Sequence, residues 1–493
     1  AGSVCSGVWD SADPAPSSGD PSGSAEDACG SSSLMPGWSR RGSIRVHESA
    51  GGGGIHRLEP ETRILSPTGF PTVYDFVVVG LGPAGSRFAR RAAEAGHDVL
   101  AFEQGAVGEP LACSGHVSTD VWSITGEGAR EDLLQNEITG ARFHVDGPGG
   151  MAVDGDGAHS PRGAGNSASG APDDPDGGPR PDDPDDSPRD HSARATADSP
   201  EAAARSSERD LPDSYPFYRD EPVSNVIDRV GLDRHLADLA RDAGADCREH
   251  HTVTEVVEHD DRVTVTVSAP EGTETHEARM VAGCDGPRSR VRDALGLPEP
   301  DELLHGVLGF TEEPDHGDFV DVHLTPPRFF AWRIPRGDAG VEFGLAVPPE
   351  EHAGQHFEAF CESYGVTVDR RCSGAIPIGP PSTVTGDRGF LIGDAAGQTK
   401  PFTGGGIRYG TTCADHAVAT IDPDDPASLA DYESAWRSDL GREIRLGHAI
   451  RRAYSLPEPI QRAGLRAVSG EIGVHMDRPT SLFSREQLRA LLP

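Results

Sequence analysis

An α/β chain is predicted, built on a parallel sheet with a sheet-rich second region and C-terminal helices, and three stretches of sequence predict it. Tyr74 to Glu103 reads as strand, glycine turn, helix and strand. Gly389 to Ile407 reads as a strand, an aspartate and a glycine-rich helix start. Between them, Phe319 to Val347 contains short strand candidates with aromatic residues on alternate positions.

The first stretch has the chemistry of a dinucleotide site. Phe76 to Val79 is an apolar run of buried-strand type, and Gly80 lets the chain turn off its end. Gly82 removes a side chain so that backbone can approach a pyrophosphate, at a helix N-terminus whose N–H groups and dipole favour anions. Gly85 lets that helix pack on the strand, Phe88, Ala89, Ala92 and Ala93 form its apolar face, and Gly96 ends it. A second strand, Val99 to Phe102, delivers Glu103 to a ribose hydroxyl at the expected distance after Gly80. The fingerprint is specific because all of its parts are present together.

After Glu103 the chain leaves the carboxyl end of a parallel strand, so the loop containing Cys113, Ser114, Gly115 and His116 is expected beside the ligand. Cys113 suits either a small buried filler or a group lying flat against a planar ring. A short helix and a strand between Trp122 and His144 follow. A helical stripe ending at Gly244 then carries Arg229, the hairpin Thr252–Val267 turns at Asp260-Asp261, and a buried strand at Arg279–Ala282 leads into Asp285-Gly286. Phe330 to Arg336 puts aromatic surface on alternate positions, which suits a core or an apolar groove. Lastly, Gly389 to Ile392 delivers Asp394 to a chain of hydroxyls, and Gly404-Gly405-Gly406-Ile407 allows close backbone approach at a helix start.

Composition limits what else the chain can be. Residues 1 to 70 are rich in Gly, Ser, Pro and Ala. The tract from Asp146 to Asp213 holds 16 acidic residues against 6 arginines with almost no aliphatic side chains, and both tracts are expected to be disordered. The net charge of −36 extends beyond that tract, and Lys400 is the only lysine. This composition is similar to that of halophilic proteins, whose acidic surfaces tolerate molar salt because screening shortens to about 3 Å. Nucleic acid is excluded as a partner for want of basic patches of the needed extent. The eight cysteines show no paired spacing, so no metal centre or disulfide framework is expected, and a reducing cytoplasm is the default. No signal peptide and no run of membrane-spanning length is seen.

Taken together, these motifs resemble the FAD-dependent geranylgeranyl reductase family, within the p-hydroxybenzoate-hydroxylase-like flavoproteins. The dinucleotide fingerprint, Asp285-Gly286 and Gly393-Asp394 are shared by the larger group and imply FAD. Pro110-x-x-Cys113 followed by Gly115 is similar to the reductases' Pro-x-x-Cys-Gly loop, with Ser114 in place of glycine. Phe330 to Arg336 resembles their Tyr-x-Trp-x-Phe-Pro-Lys, with Trp332 and Pro335 matching outright. The resemblance implies an FAD-binding domain of Rossmann-like type in three parts (71–144, 214–300 and 373–422), a sheet-rich substrate domain (301–372) and a C-terminal helical region (423–493). The N-terminal extension (1–70) and the acidic insertion (145–213) fall outside it.

Residue by residue, the resemblance places Gly80, Gly82, Ala84, Gly85 and Glu103 on the ADP half of FAD. It places Cys113, Ser114 and His116 on the flavin side, and Arg229 and the backbone of Val253 in contact with the cofactor. Asp394, Gly406 and Ile407 complete the site, while Phe330 and Trp332 border a lipid cavity. The implied reaction saturates isoprenoid double bonds, with digeranylgeranyl glycerophospholipids of archaeal membranes as the typical substrate. Candidate proton donors are Cys113, a loop water and the flavin itself; candidate electron donors are a ferredoxin, a reduced nicotinamide or another carrier. An aromatic-ring monooxygenase or a flavin-binding protein without turnover would share the FAD motifs, although the two narrower motifs argue against the monooxygenase. A lipid substrate calls for contact with a membrane surface by an otherwise cytoplasmic protein. Leu429, Tyr432, Trp436, Leu440 and Ile444, beside Arg442, Arg445, Arg451 and Arg452, form a helical face suited either to that contact or to packing on the FAD domain.

Overall fold

The computed structural model describes residues 3–4, 73–110, 113–145 and 214–471. Nearly all of the expected disordered extension and of the acidic insertion lies outside the described residues.

Two sheets organise the molecule. In the first, the central strands Gly272–Gly283, Val73–Val79, Val99–Phe102 and Asp246–Arg248 run parallel in that order. Gly389–Leu391 adds a further parallel strand beside Val281, Ala282 and Gly283. The hairpin Thr252–Glu258 and Val263–Ala269 extends the same sheet antiparallel through Gly272–Gly283, which is longer than the buried strand expected at Arg279–Ala282. Buried Val77, Val78, Leu100, Val281 and Phe390 form its interior. The helices Pro83–Glu94, Ile407–Thr420 and Leu429–Ala453 pack on this core through Phe88, Cys413 and Trp436.

The second sheet orders Arg370–Ile378, Glu302–Thr311, Val341–Val347, Ala331–Pro335, Phe319–His323, Gly140–His144 and Ser214–Tyr218 side by side. The strands at 140–144 and 214–218 flank the acidic insertion, and they join this sheet rather than the nucleotide-binding one. Local sequence does not report that choice, because either sheet can accept a half-buried strand. The helix Ala353–Ser363 covers one face through Phe357 and Phe360. On that side a buried polar group links His144 Nε2 to Asp321 Oδ1 at 3.0 Å and His323 Nε2 to the Tyr364 hydroxyl at 2.7 Å, with the two imidazoles stacked at 4.4 Å.

The face formed by Leu429, Tyr432, Trp436, Leu440 and Ile444 is buried in the core of the nucleotide-binding sheet. It therefore does not supply the membrane contact considered above. Apolar periodicity alone cannot distinguish a face packed on protein from one packed on lipid.

Candidate functional site

The turn after Val79 has the conformation its glycines demand. Gly80 sits at φ +97°, and a Cβ there would collide with the carbonyl of Cys284. At Gly85 a Cβ would overlap the Gly80 carbonyl oxygen, so this glycine sets how closely the helix lies on the strand. Gly82 differs from both. It starts the helix without a side-chain cap, and nothing lies within 4 Å of where its Cβ would be. Packing does not require glycine at this position, whereas close approach of a ligand to the helix N-terminus does.

Glu103 accepts from Leu81 N at 2.8 Å through Oε2 and from Gln104 N at 3.0 Å through Oε1, and burial raises its pKa. It thereby fixes the turn that shapes the cradle. Asp285 accepts from Ser289 Oγ at 2.6 Å and Arg290 N at 2.7 Å. The Asp-Gly pair is thus occupied in starting the helix Arg290–Ala294, while Gly286 lines the cavity.

A cavity of about 850 Å³ begins at this cradle and continues between the two sheets. Its polar end is walled by Gly82, Ala84, Cys113, Ser114, His116, Arg229, Asp394, Gly406 and Ile407, which the fold brings together. A second helix, Ile407–Thr420, starts at this cavity from Gly406, also without a side-chain cap. Two helix N-termini therefore converge on one space. They can do so because Ala84 meets Gly393 and Gly410, where a Cβ on either glycine would press on it at 2.9 and 3.2 Å. Val253 does not line the cavity; it is buried in its strand, and its carbonyl accepts from Arg290 Nη1 at 3.4 Å.

The charges at this end are few and coupled. Arg229 is buried and ion-paired with Asp233. Burial opposes its charge, but Asp233 and Cys113 outweigh that and hold its pKa above the usual value. Burial raises the Cys113 thiol, with Arg229 pulling the other way, and Cys113 is both exposed and part of the cavity lining. Asp394 is pushed up to about 6 by burial, again opposed by Arg229. The Ser114 hydroxyl accepts from His116 N at 3.1 Å, and His116 Nε2 lies 2.7 Å from Ser224 Oγ, so these residues hold the loop in shape around Cys113.

The apolar end lies against the second sheet. Phe330, Trp332 and Ile334 project into it from alternate positions, joined by Phe143, Leu308 and Val320. Gly344 faces Trp332 across the strand pair, and its missing side chain makes room for the indole, which a Cβ would overlap. Glu342, missed by sequence reasoning, is fully buried; its Oε1 accepts from Trp332 Nε1 at 2.9 Å and its Oε2 from Gly115 N at 3.5 Å. It ties the cavity wall to the Cys113 loop across 227 residues of sequence. A lone acid within the apolar strand Val341–Val347 was its available signal. Lys400, also missed, is buried at the polar end, and being the only lysine was its signal. The outer wall comes from Tyr454 and the helix Glu458–Val468, which no motif announced. Among the described residues no group of three or more His, Cys, Asp or Glu is placed to hold a metal.

The geometry fits FAD. The open position at Gly82 matches a pyrophosphate, and the start at Gly406–Ile407 can donate N–H groups to a ring carbonyl. Residues 209–361 match the FAD binding domain model. The chain is 25% identical to digeranylgeranylglycerophospholipid reductase 2 of Methanothermobacter thermautotrophicus, across 75% of this chain and 85% of that one. It is 25% identical to the protein of the same name from Methanopyrus kandleri, across 81% and 93%. A solved geranylgeranyl bacteriochlorophyll reductase-like structure from Thermoplasma acidophilum superposes with a TM-score of 0.64 at 19% identity, covering 85% of this chain and 96% of that one. The fold is an α/β FAD-binding fold, and FAD is its cofactor. No helix among the described residues is long and apolar enough to cross a membrane.

Proposed function

We propose that this FAD-dependent reductase saturates isoprenoid double bonds of geranylgeranylated lipids, digeranylgeranyl glycerophospholipids being the substrate class favoured by its relatives. The observation that carries the reading is the continuity of the cavity, from the dinucleotide cradle at Gly82 to an apolar chamber bounded by Phe330, Trp332 and Tyr454. A polyprenyl chain is long, apolar and without groups to hydrogen-bond, and a chamber of this lining admits it while excluding water.

When bound in its reduced form, FAD would supply hydride. The chain's own residues do the rest. Gly82, Ala84 and Glu103 shape the site that holds the dinucleotide, and Gly406 and Ile407 present backbone N–H groups at its other end. Phe330 and Trp332 orient the polyene, so that positioning rather than acid strength makes an isolated alkene reactive. Cys113 lines the cavity with a thiol kept protonated at neutral pH by its surroundings, which suits it to give a proton to the second alkene carbon. Electrons come from a soluble carrier of ferredoxin or nicotinamide type.

The test is anaerobic reduction of the purified protein with dithionite, followed by addition of geranylgeranylated lipid. Reoxidation of the flavin with a gain of about two daltons per double bond supports the reading. Reoxidation that occurs only when oxygen is admitted, with hydroxylated product, sinks it.

A further inference from the structure

The cavity's outer wall differs from the rest of the surface. The helix Glu458–Val468 contributes Ile460, Leu465 and Val468 to the lining, yet none of its residues is buried. Leu456 and Ile460 are 42% and 54% exposed, two of only five large apolar side chains so exposed among the described residues. A third, Tyr218, follows the cavity-lining Phe217. Exposed apolar surface is thus concentrated at the chamber's mouth.

Charge is reversed in the same region. From Arg442 to Arg466 the sequence holds six arginines against Glu443 and Glu458, a net +4 in a chain of −36. Arg451 pairs with Glu302 and Arg462 with Glu458. Arg442, Arg445, Arg452 and Arg466 make no ion pair among the described residues, and Arg452 and Arg466 are exposed, one on the helix before Leu456 and the other on the helix that carries Ile460. The chain as a whole is acidic and is repelled by an anionic surface, whereas this segment is attracted to one.

We propose that the segment Tyr454–Val468 is a docking surface for an anionic lipid bilayer, on which the protein sits mouth-first so that polyprenyl chains pass from the membrane into the chamber. This rests on the reading that the chamber takes an isoprenoid lipid. Leu456 and Ile460 enter the headgroup layer, while Arg452 and Arg466 lie at the level of the phosphates. The arginines do two jobs: they add attraction, and they set the orientation of a chain whose net charge is −36.

The experiment is flotation of the full FAD-loaded chain with vesicles of mixed phosphatidylglycerol and phosphatidylcholine, or of phosphatidylcholine alone, at the lowest potassium chloride concentration that retains flavin. The protein is expected to float with the anionic vesicles. R452E/R466E should lower partitioning by at least about tenfold, and L456D/I460D should abolish it, with bound-flavin absorbance showing that both variants fold. Equal flotation on uncharged vesicles, or wild-type flotation by both variants, overturns the proposal. A separate assay with detergent-dispersed geranylgeranylated lipid distinguishes the two readings. There R452E/R466E should reduce substrate as the wild type does, and failure of the wild type in that assay would count against the proposed reaction rather than the docking surface.

Discussion

Glu342 offers the sharpest test of how the site is held. Its carboxylate is fully buried and serves two donors from different parts of the fold, Trp332 Nε1 at 2.9 Å and Gly115 N at 3.5 Å. Leucine at this position removes both acceptors and leaves a buried indole N–H without a partner, and it takes a carboxylate away from Arg336, whose one hydrogen-bond partner among the described residues is Gln135. An unsatisfied buried donor costs about 1–3 kcal/mol, and loss of the charge near a buried arginine adds to it, so E342L should destabilise by about 3–5 kcal/mol. Glutamine keeps one acceptor oxygen, which the shorter indole bond will take, and turns an amide N–H₂ toward Gly115. E342Q should therefore cost only about 1–2 kcal/mol. Guanidinium unfolding measures both. The same variants should speed maleimide labelling of Cys113, read against C113S, because Gly115 is the anchor of its loop. Equal costs for the two substitutions, or unchanged labelling in both, would refute the idea that Glu342 couples the cavity wall to the Cys113 loop.

Three further outcomes are expected. Valine at Gly85 meets the Gly80 carbonyl and should destabilise the fold by at least about 3 kcal/mol, whereas at Gly82 nothing lies within 4 Å of a Cβ and valine there should leave the melting of the apoprotein unchanged. G82V should nevertheless purify colourless, and a yellow G82V protein would remove the pyrophosphate from that helix start. His323 is depressed to about 3 by burial, with His144 adding to the effect. Its contribution to stability is therefore complete above the unfolded value of 6.5 and is lost as pH falls toward 3, at a cost of about 2 kcal/mol by pH 5. Denaturant titrations at pH 7 and 5 should show that loss in the wild type and a smaller one in H323Q; equal losses would mean that another group governs acid unfolding. Finally, R229M removes the cation that opposes the rise of both Asp394 and Cys113, so both should shift further upward and thiol labelling of Cys113 should need higher pH than in the wild type.

The cradle could be read from the sequence because its function rests on backbone. A left-handed φ at Gly80 and contact without a side chain at Gly85 require glycine, so residue type reports conformation directly there, and the open space at Gly82 is what a closely approaching ligand needs. The start at Gly404-Gly405-Gly406 was legible for the same reason. Asp285 shows the limit of this reading. An Asp-Gly pair looks the same whether the carboxylate meets a ligand or, as found, accepts the N–H groups that start a helix. Nor could the sequence show which sheet the strands beside the insertion would join, since an alternating strand carries no mark of its neighbour.

The apolar chamber was only half legible, and the physical reason bears on the docking surface. Phe330 and Trp332 could be placed on one face of a strand, but whether that face met a core or a space depended on Gly344, Glu342 and Tyr454, brought there by tertiary folding alone. The C-terminal helices were ambiguous in the opposite sense. Leu429 to Ile444 has the regular spacing that invites an interfacial reading, yet it packs on the nucleotide-binding sheet. The short helix after it has fewer apolar residues and carries no such signal, yet none of its residues is buried. Hydrophobicity locates a face that must be buried; charge helps identify what buries it. In a chain of −36, a segment of net +4 at the mouth of an apolar chamber is better matched to anionic lipid than to the acidic surface of the same protein in solution.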